Sequence, residues 1–110
     1  MIDRSASVFR IDKFDVPSAG REEFLAKLRE THAQLDRMDG CLQNYVLEQS
    51  AGSGRFNIVT LVEWRDQEAY EAARAIAQAR HQANGFNPQA MLEQLGIGTD
   101  LANYSVVPHA

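Results

Sequence analysis

The sequence has one cysteine, three prolines and no long apolar run among its 110 residues. The single thiol, Cys41, cannot form an internal disulfide, which indicates a cytoplasmic protein in a reducing compartment. No stretch reaches the about 18–20 apolar residues of a membrane span, and the first nine residues lack the apolar run of a secretion signal. The 11 basic residues are outnumbered by 15 acidic ones and form no block, which argues against nucleic-acid binding.

Motifs for metals and phosphates are also missing. The histidines, His32, His81 and His109, are too scattered to form an i, i+4 ligand pair, and no cysteine joins them. Neither a phosphate-binding loop nor a GxGxxG segment is present, and no nucleophile elbow supports a serine-histidine-aspartate triad. We therefore expect no bound metal, and any enzymatic activity without a motif-bound cofactor. His109 falls in the C-terminal tail and receives no role.

What is present is the composition and periodicity of one globular domain, 1–110. Hydrophobic residues make up 45% and charged residues 24%, a balance typical of soluble domains. Alternation predicts strands over 7–14, 41–49, 55–64 and 100–107. Helical spacing and turn signals predict helices over 21–37, 67–83 and 88–95. Ser18, Asp66 and Asn87 are the predicted caps of these helices.

The element order β-α-β-β-α-(α)-β is the split βαβ pattern, so we predict a ferredoxin-like α+β fold with an antiparallel four-stranded sheet. The third strand is apolar on both sides. Phe56, Ile58, Val62 and Trp64 alternate onto one side, and Val59 and Leu61 onto the other. Because the helices cover only one face, the other face needs a partner. We expect a homodimer packed sheet to sheet.

The segment over 57–70 is the most informative. A strand ends at Trp64, a polar turn follows, and a helix begins with Glu68-Ala69-Tyr70. This resembles the antibiotic biosynthesis monooxygenase (ABM) family of dimeric α+β barrels. Other features agree with the resemblance, which covers about residues 7–107: Phe14, Val16-Pro17, Phe24 and Asp39-Gly40-Cys41.

The resemblance implies a monooxygenase that oxidises a quinol, an anthrone or another polyphenolic aromatic, with O₂ as co-substrate and no metal or flavin. A deprotonated phenol is electron-rich enough to reduce O₂ itself. The protein then supplies a dry apolar cavity, flat side chains and groups that stabilise the anion. The resemblance places Trp64 and Tyr70 on the cavity wall as an aromatic pair.

The remaining candidates match the family less closely. Thr60 stands where some members have asparagine, and the late basic residue of the second helix is Arg74, Arg80 or His81. His32, on the buried stripe of the first helix, is a second candidate for moving a proton. Phe24 and Phe56 complete the expected substrate-binding set.

The family's haem-degrading branch uses tryptophan and histidine on the second helix and asparagine on the first strand. This helix reads Glu71-Ala72-Ala73-Arg74, and the first strand has no asparagine, so haem degradation is disfavoured.

Two other functions compete with the monooxygenase. One is a non-catalytic dimeric ligand-binding or stress-response protein, which would keep Trp64 for packing alone. The other is a polyketide cyclase or isomerase, because proton abstraction needs a similar pocket. A cavity for two or three fused rings, reached by histidine or arginine, favours an enzyme. A pocket filled by Phe24, Phe56 and Trp64 favours the binding protein.

Overall fold

The computed structural model describes residues 3–108, which form four β-strands and three α-helices. The strands are β1 (Val8–Asp15), β2 (Cys41–Glu48), β3 (Ile58–Trp64) and β4 (Gly98–Tyr104). The helices are α1 (Arg21–Leu35), α2 (Gln67–Asn84) and α3 (Pro88–Leu95), and a short 3₁₀ turn, Ser18–Gly20, precedes α1. The predicted element order is confirmed, with shifts of a few residues at several ends.

The strands form one antiparallel sheet in the order β2-β3-β1-β4, which confirms the ferredoxin-like α+β prediction. β1 lies in the interior of the sheet. Its register aligns residues of neighbouring strands in rows, and two of these rows contribute to the candidate site. Asp12 lies between Thr60 of β3 and Leu101 of β4. Arg10 lies one row away, opposite Val62, and Val62 in turn pairs with Asn44 of β2.

Side-chain caps begin two of the helices as predicted. The Asp66 carboxylate accepts the Ala69 amide at 2.8 Å, and the Asn87 side chain accepts the Ala90 amide at 3.2 Å. α2 ends at Gly85, whose φ of 66° lies in the left-handed region that favours glycine.

The predicted Ser18 cap was wrong, because α1 begins one turn later. The Gly20 amide donates to the Pro17 carbonyl at 3.0 Å, so the chain completes a 3₁₀ turn before the α-helix starts. Gly20 is the residue before α1, and no side chain caps the helix there. Pro17 and Ser18 therefore belong to the turn.

The helix-facing side of the sheet packs in two clusters. The first joins β1, α1 and the start of β3, where the rings of Phe14 and Phe24 meet edge to face at 4.9 Å and Ile58 is completely buried. Its members are Phe14, Val16, Phe24, Leu25, Leu28, Ile58 and Ile97. The second cluster, at the other end of β3, comprises Val62, Trp64, Ala69 and Ala73. Each fully buried large side chain contributes about 1.5–3 kcal/mol to folding.

The opposite side of the sheet, here called the outer face, carries Phe9, Ile11, Tyr45, Leu47, Val59, Leu61 and Tyr104. Tyr45 and Leu47 are about half exposed. A bulge between Cys41 and Gln43 turns Cys41 towards the second cluster. At one end of the outer face, Glu63 is completely buried beneath Arg4 and Ser7.

None of the helices described within residues 3–108 is both long enough and apolar enough to span a membrane.

Candidate active site between the sheet and the helices

A cavity of about 560 Å³ lies between the helix-facing side of the sheet and the three helices. Residues of both packed clusters line it, so it separates them. α2 leaves this space open because it presents small side chains, Ala73 and Ala77, where larger ones would reach the sheet. Most of the residues predicted for the site line this cavity: Phe24, His32, Thr60, Trp64, Tyr70, Arg74 and His81.

Phe56 and Arg80 lie elsewhere. Phe56 precedes β3, which begins only at Ile58, and the guanidinium of Arg55 lies 5.1 Å from its ring centre. Phe56, expected in the substrate-binding set, therefore does not line this cavity. Arg80 points to α1, where it donates to the Gln34 side chain at 2.6 Å, so Arg74 and His81 are the basic residues of α2 that line the cavity. His109 lies outside the described residues.

Two charged residues of β1, neither predicted from the sequence, line the cavity beside Thr60. Arg10 Nε donates to Asp12 Oδ1 at 2.6 Å, and Arg10 Nη1 lies 3.3 Å from the Tyr70 hydroxyl. Alternation along β1 could have found them, because Arg10 and Asp12 share a face with Phe14, which the sequence marks as apolar.

Burial raises the pKa of Asp12 above its ordinary value. The charges of Arg10 and His32 act in the opposite direction but do not outweigh the loss of hydration. The cavity thus holds a carboxyl group that takes up a proton more readily than an exposed aspartate.

His32 reaches the cavity from α1 and is held by β2. Its Nδ1 contacts Oδ1 of Asn44. Nδ2 of the same amide donates to the His32 carbonyl at 2.7 Å and to Asp36 Oδ1 at 2.9 Å. The ring is therefore attached at one nitrogen to a residue of the neighbouring strand.

His81 lies where the cavity meets a groove between α1 and α3. The ring of His81 packs edge-on against the ring of Phe86, with 5.4 Å between the ring centres. On α1, Lys27 Nζ lies 4.0 Å from the centre of the Phe86 ring. Phe86 and Lys27 line both the cavity and the groove. This junction places the Lys27 ammonium beside the rings of Phe86 and His81, and such a combination suits contact with a flat anionic ligand.

Within residues 3–108, no three histidine, cysteine, aspartate or glutamate side chains come together as a metal site would require.

Comparison with family models decides which family this fold and cavity represent. The model for antibiotic biosynthesis monooxygenases matches residues 7–83. The chain belongs to the ABM family. The resemblance seen in the sequence is thus confirmed. No curated protein matches the chain.

Solved structures share the fold along nearly the whole chain. A Shewanella loihica protein with a provisional monooxygenase assignment is 20% identical, with 97% of this chain and 100% of that one covered and a TM-score of 0.69. SnoaB from Streptomyces nogalater, a cofactor-independent oxygenase, is 24% identical over 94% of this chain and 96% of its own, with a TM-score of 0.66. The haem degrader MhuD from Mycobacterium tuberculosis is 22% identical over 94% and 98%, also with a TM-score of 0.66. At these identities the likeness concerns the fold.

These structures correct the expectation that the protein needs no cofactor beside O₂. MhuD carries two haems in its active site, and a second MhuD structure holds two manganese protoporphyrins, whereas SnoaB works without a cofactor. The same fold therefore serves both kinds of chemistry, and membership of the ABM family does not imply the absence of a cofactor.

Proposed function

We propose that this ABM-family protein is a monooxygenase that oxidises a quinol, an anthrone or another polyphenolic aromatic with O₂. The observation that carries the proposal is the cavity of about 560 Å³, whose walls combine aromatic and aliphatic side chains with a few ionisable groups. Ligand pockets for flat organic molecules have this composition and size. A pocket filled by aromatic side chains would favour the binding protein, but this cavity is open.

The lining residues suggest a division of roles. Trp64, almost fully buried at the end of β3, and Tyr70 at the start of α2 supply flat surfaces for the substrate rings. Phe24 closes the wall on the side of the packed core. Thr60 offers a hydroxyl, and Arg74 can pair with a phenolate.

The proposed reaction balances with one molecule of O₂. For an anthrone, the ring CH₂ becomes C=O, one oxygen atom enters that carbonyl, and the two hydrogens leave with the other oxygen as water. Deprotonation of the phenol or enol comes first, because the anion is the better electron donor. His81 and His32 are the imidazoles that line the cavity and can move this proton.

The cavity also contains side chains of the kinds that bind haem in other proteins. His81 and His32 offer imidazole nitrogens for iron, and Lys27 and Arg74 offer cations for the propionates. A bound haem would supply redox chemistry at the iron. The first strand has Arg10 and Asp12 where an uncharged lining would suit the porphyrin plane better, which favours a phenolic ligand.

We further propose that the outer face is covered by a second copy of the chain. Tyr45, Leu47 and Tyr104 are 50%, 46% and 42% exposed on one continuous apolar surface, and surfaces of this kind mark interaction sites. Light scattering should give the mass of a homodimer. We also propose a cytoplasmic location, because a single cysteine suits a reducing compartment.

Turnover with and without O₂ tests the function. A panel of hydroquinones and anthrones is followed by absorbance, and product mass is read under ¹⁸O₂. We expect O₂-dependent conversion with one labelled oxygen per product. In Trp64→Phe and His81→Ala, kcat/KM should fall by about tenfold or more. Phe56→Leu, which changes an aromatic residue outside the cavity, should retain the wild-type rate.

The alternatives give different results. Conversion that proceeds equally without O₂ would indicate the cyclase or isomerase. Ligand binding without conversion would indicate the binding protein. A parallel titration with haemin, read by the Soret band in the wild type and in His81→Ala, tests whether haem binds.

A further inference from the structure

The orientation of the Asn44 side chain can be read from its surroundings. Two acceptors, the His32 carbonyl and Asp36 Oδ1, lie within 2.7 and 2.9 Å of Asn44 Nδ2. Only the NH₂ end of the amide can donate to both of them. Reversing the amide would place its oxygen against a carbonyl and a carboxylate. Asn44 must therefore direct Oδ1 towards the His32 ring.

That orientation decides which nitrogen of His32 carries the proton. Asn44 Oδ1 has no hydrogen, so its contact with Nδ1 is a hydrogen bond only if Nδ1–H donates. In the neutral ring the other nitrogen, Nε2, then has the free lone pair. Asn44 thus leaves Nε2 as a proton acceptor, and His32 lines the cavity.

Charged groups from three elements surround the cavity near the ring. Asp12 of β1 lies close enough for the His32 charge to affect its carboxyl, and Arg10 is ion-paired with Asp12. Asp36, directly after the end of α1, accepts a hydrogen bond from Asn44 Nδ2. Across the cavity, α2 contributes Arg74 and His81, and Lys27 lies on α1 five residues before His32. Charges of both signs thus surround the ring, and the hydrogen bonds of Asn44 are what distinguish its two nitrogens.

We propose that Asn44 is a positioning residue that holds His32 in the Nδ1–H form, so that Nε2 accepts the phenolic proton of the substrate. This inference rests on the proposed function. In the step, the substrate O–H bond breaks, its electron pair stays on oxygen as phenolate, and an N–H bond forms at Nε2. The imidazolium returns this proton to the reduced oxygen that leaves as water.

Long-range ¹H–¹⁵N NMR of the histidine rings tests the positioning directly and needs no substrate. At a pH where His32 is neutral, we expect the wild type to show the Nδ1–H form. Asn44→Ala should shift the ring to Nε2–H, the form that free imidazole side chains prefer in water. Gln34→Ala removes a side-chain amide from α1, the helix that carries His32, but outside the cavity. It should leave the wild-type pattern. A wild-type ring in the Nε2–H form, or no change in Asn44→Ala, would overturn the proposal.

A second variant keeps the test valid if Asn44→Ala does not fold. Asn44→Leu keeps the approximate size of the side chain but removes the acceptor, so the ring should shift to the Nε2–H form as in Asn44→Ala. An unchanged Nδ1–H form in Asn44→Leu would contradict orientation by hydrogen bonding.

Kinetics test the proton transfer. With a substrate of the proposed class, His32→Ala should lower kcat by about 100-fold and Asn44→Ala by about tenfold, with KM little changed. An unchanged kcat in His32→Ala would overturn the proton transfer while leaving the oxygenase function standing. If no compound of the panel is converted, the proposed function fails, and the tautomer measured by NMR still decides the role of Asn44.

Discussion

Two acidic residues on neighbouring strands, Asp12 on β1 and Glu63 on β3, show how differently the two sides of the sheet treat a carboxylate. Glu63, on the outer face, accepts hydrogen bonds from Arg4, Ser7 and Gln43, the last two at 2.7 and 2.6 Å. Asp12, on the helix-facing side, accepts one side-chain hydrogen bond among the described residues, from Arg10. Glu63 is completely buried by protein, whereas Asp12 borders the cavity.

The pKa values move in opposite directions as a result. Burial alone would raise the pKa of Glu63, but the hydrogen bonds from Ser7, Gln43 and Arg4 outweigh it and the pKa is lowered. Burial prevails at Asp12 and raises its pKa. A carboxylate with all its acceptor sites filled serves the fold, since it ties the N-terminal segment to the sheet. A carboxylate with unfilled acceptor sites beside a cavity can still bind a ligand or a proton.

The largest expected effect is the loss of stability when Glu63 becomes neutral. Glu63→Gln should lower the free energy of unfolding by about 2–3 kcal/mol, because Arg4 loses its ion pair and one carboxylate acceptor becomes an amide donor facing other donors. Urea unfolding at pH 7 measures it. Glu48→Gln, which breaks the exposed pair with Arg21, should lower the free energy of unfolding far less, because water screens that pair. Equal losses in the two variants would contradict the anchoring role of Glu63.

A second variant fills part of the cavity, which Asp12 borders and Glu63 does not. Ala73→Leu places a larger side chain into the cavity lining from α2, and aromatic ligands should bind at least about tenfold more weakly. Trp64, the single tryptophan, reports binding of a hydroxylated naphthalene by its fluorescence. Ala75→Leu makes the same change at an exposed position of α2 and should bind as the wild type does. Undiminished binding in Ala73→Leu would show that ligands do not use this cavity.

Much of the fold follows from local sequence signals. The Asp66 and Asn87 caps, the glycine at 85 and the apolar alternation of β3 are each decided by neighbouring residues, and the structure contains them all. Ser18 misled because a cap residue and a turn residue look alike in sequence. Phe56 misled because alternation does not show where a strand begins.

The site was predictable where the family pattern reaches and less so elsewhere. Trp64 and Tyr70 belong to a recognisable segment, so they could be assigned to the cavity. The contact of Asn44 with His32 depends on the packing of α1 against β2. No local sequence pattern pairs a strand amide with a helix histidine 12 residues earlier. Arg10 and Asp12 were accessible to alternation, since they share a face of β1 with Phe14.

The smallest effect is the pH dependence of stability, and its sign separates the two carboxylates. Glu63, with a lowered pKa in the folded state, stabilises the protein above its ordinary pKa of 4.5, and this contribution is lost as the pH falls through the folded value. Because the pKa of Asp12 is raised in the folded state, the folded protein protonates Asp12 at a higher pH than the unfolded chain does. Acidification below that folded value, towards the ordinary 3.8, therefore favours the folded state at Asp12.

Urea unfolding between pH 7 and pH 3 should thus show a shallower acid loss in Glu63→Gln than in the wild type. Asp12→Asn should show a steeper one, because the compensating gain at Asp12 is absent. The two variants bracket the wild type only if folding lowers the pKa of Glu63 and raises the pKa of Asp12. An acid loss in Asp12→Asn as shallow as that in Glu63→Gln would mean that Asp12 is as well satisfied as Glu63, and it would then be an anchor of the fold and no longer a candidate for binding a ligand or a proton.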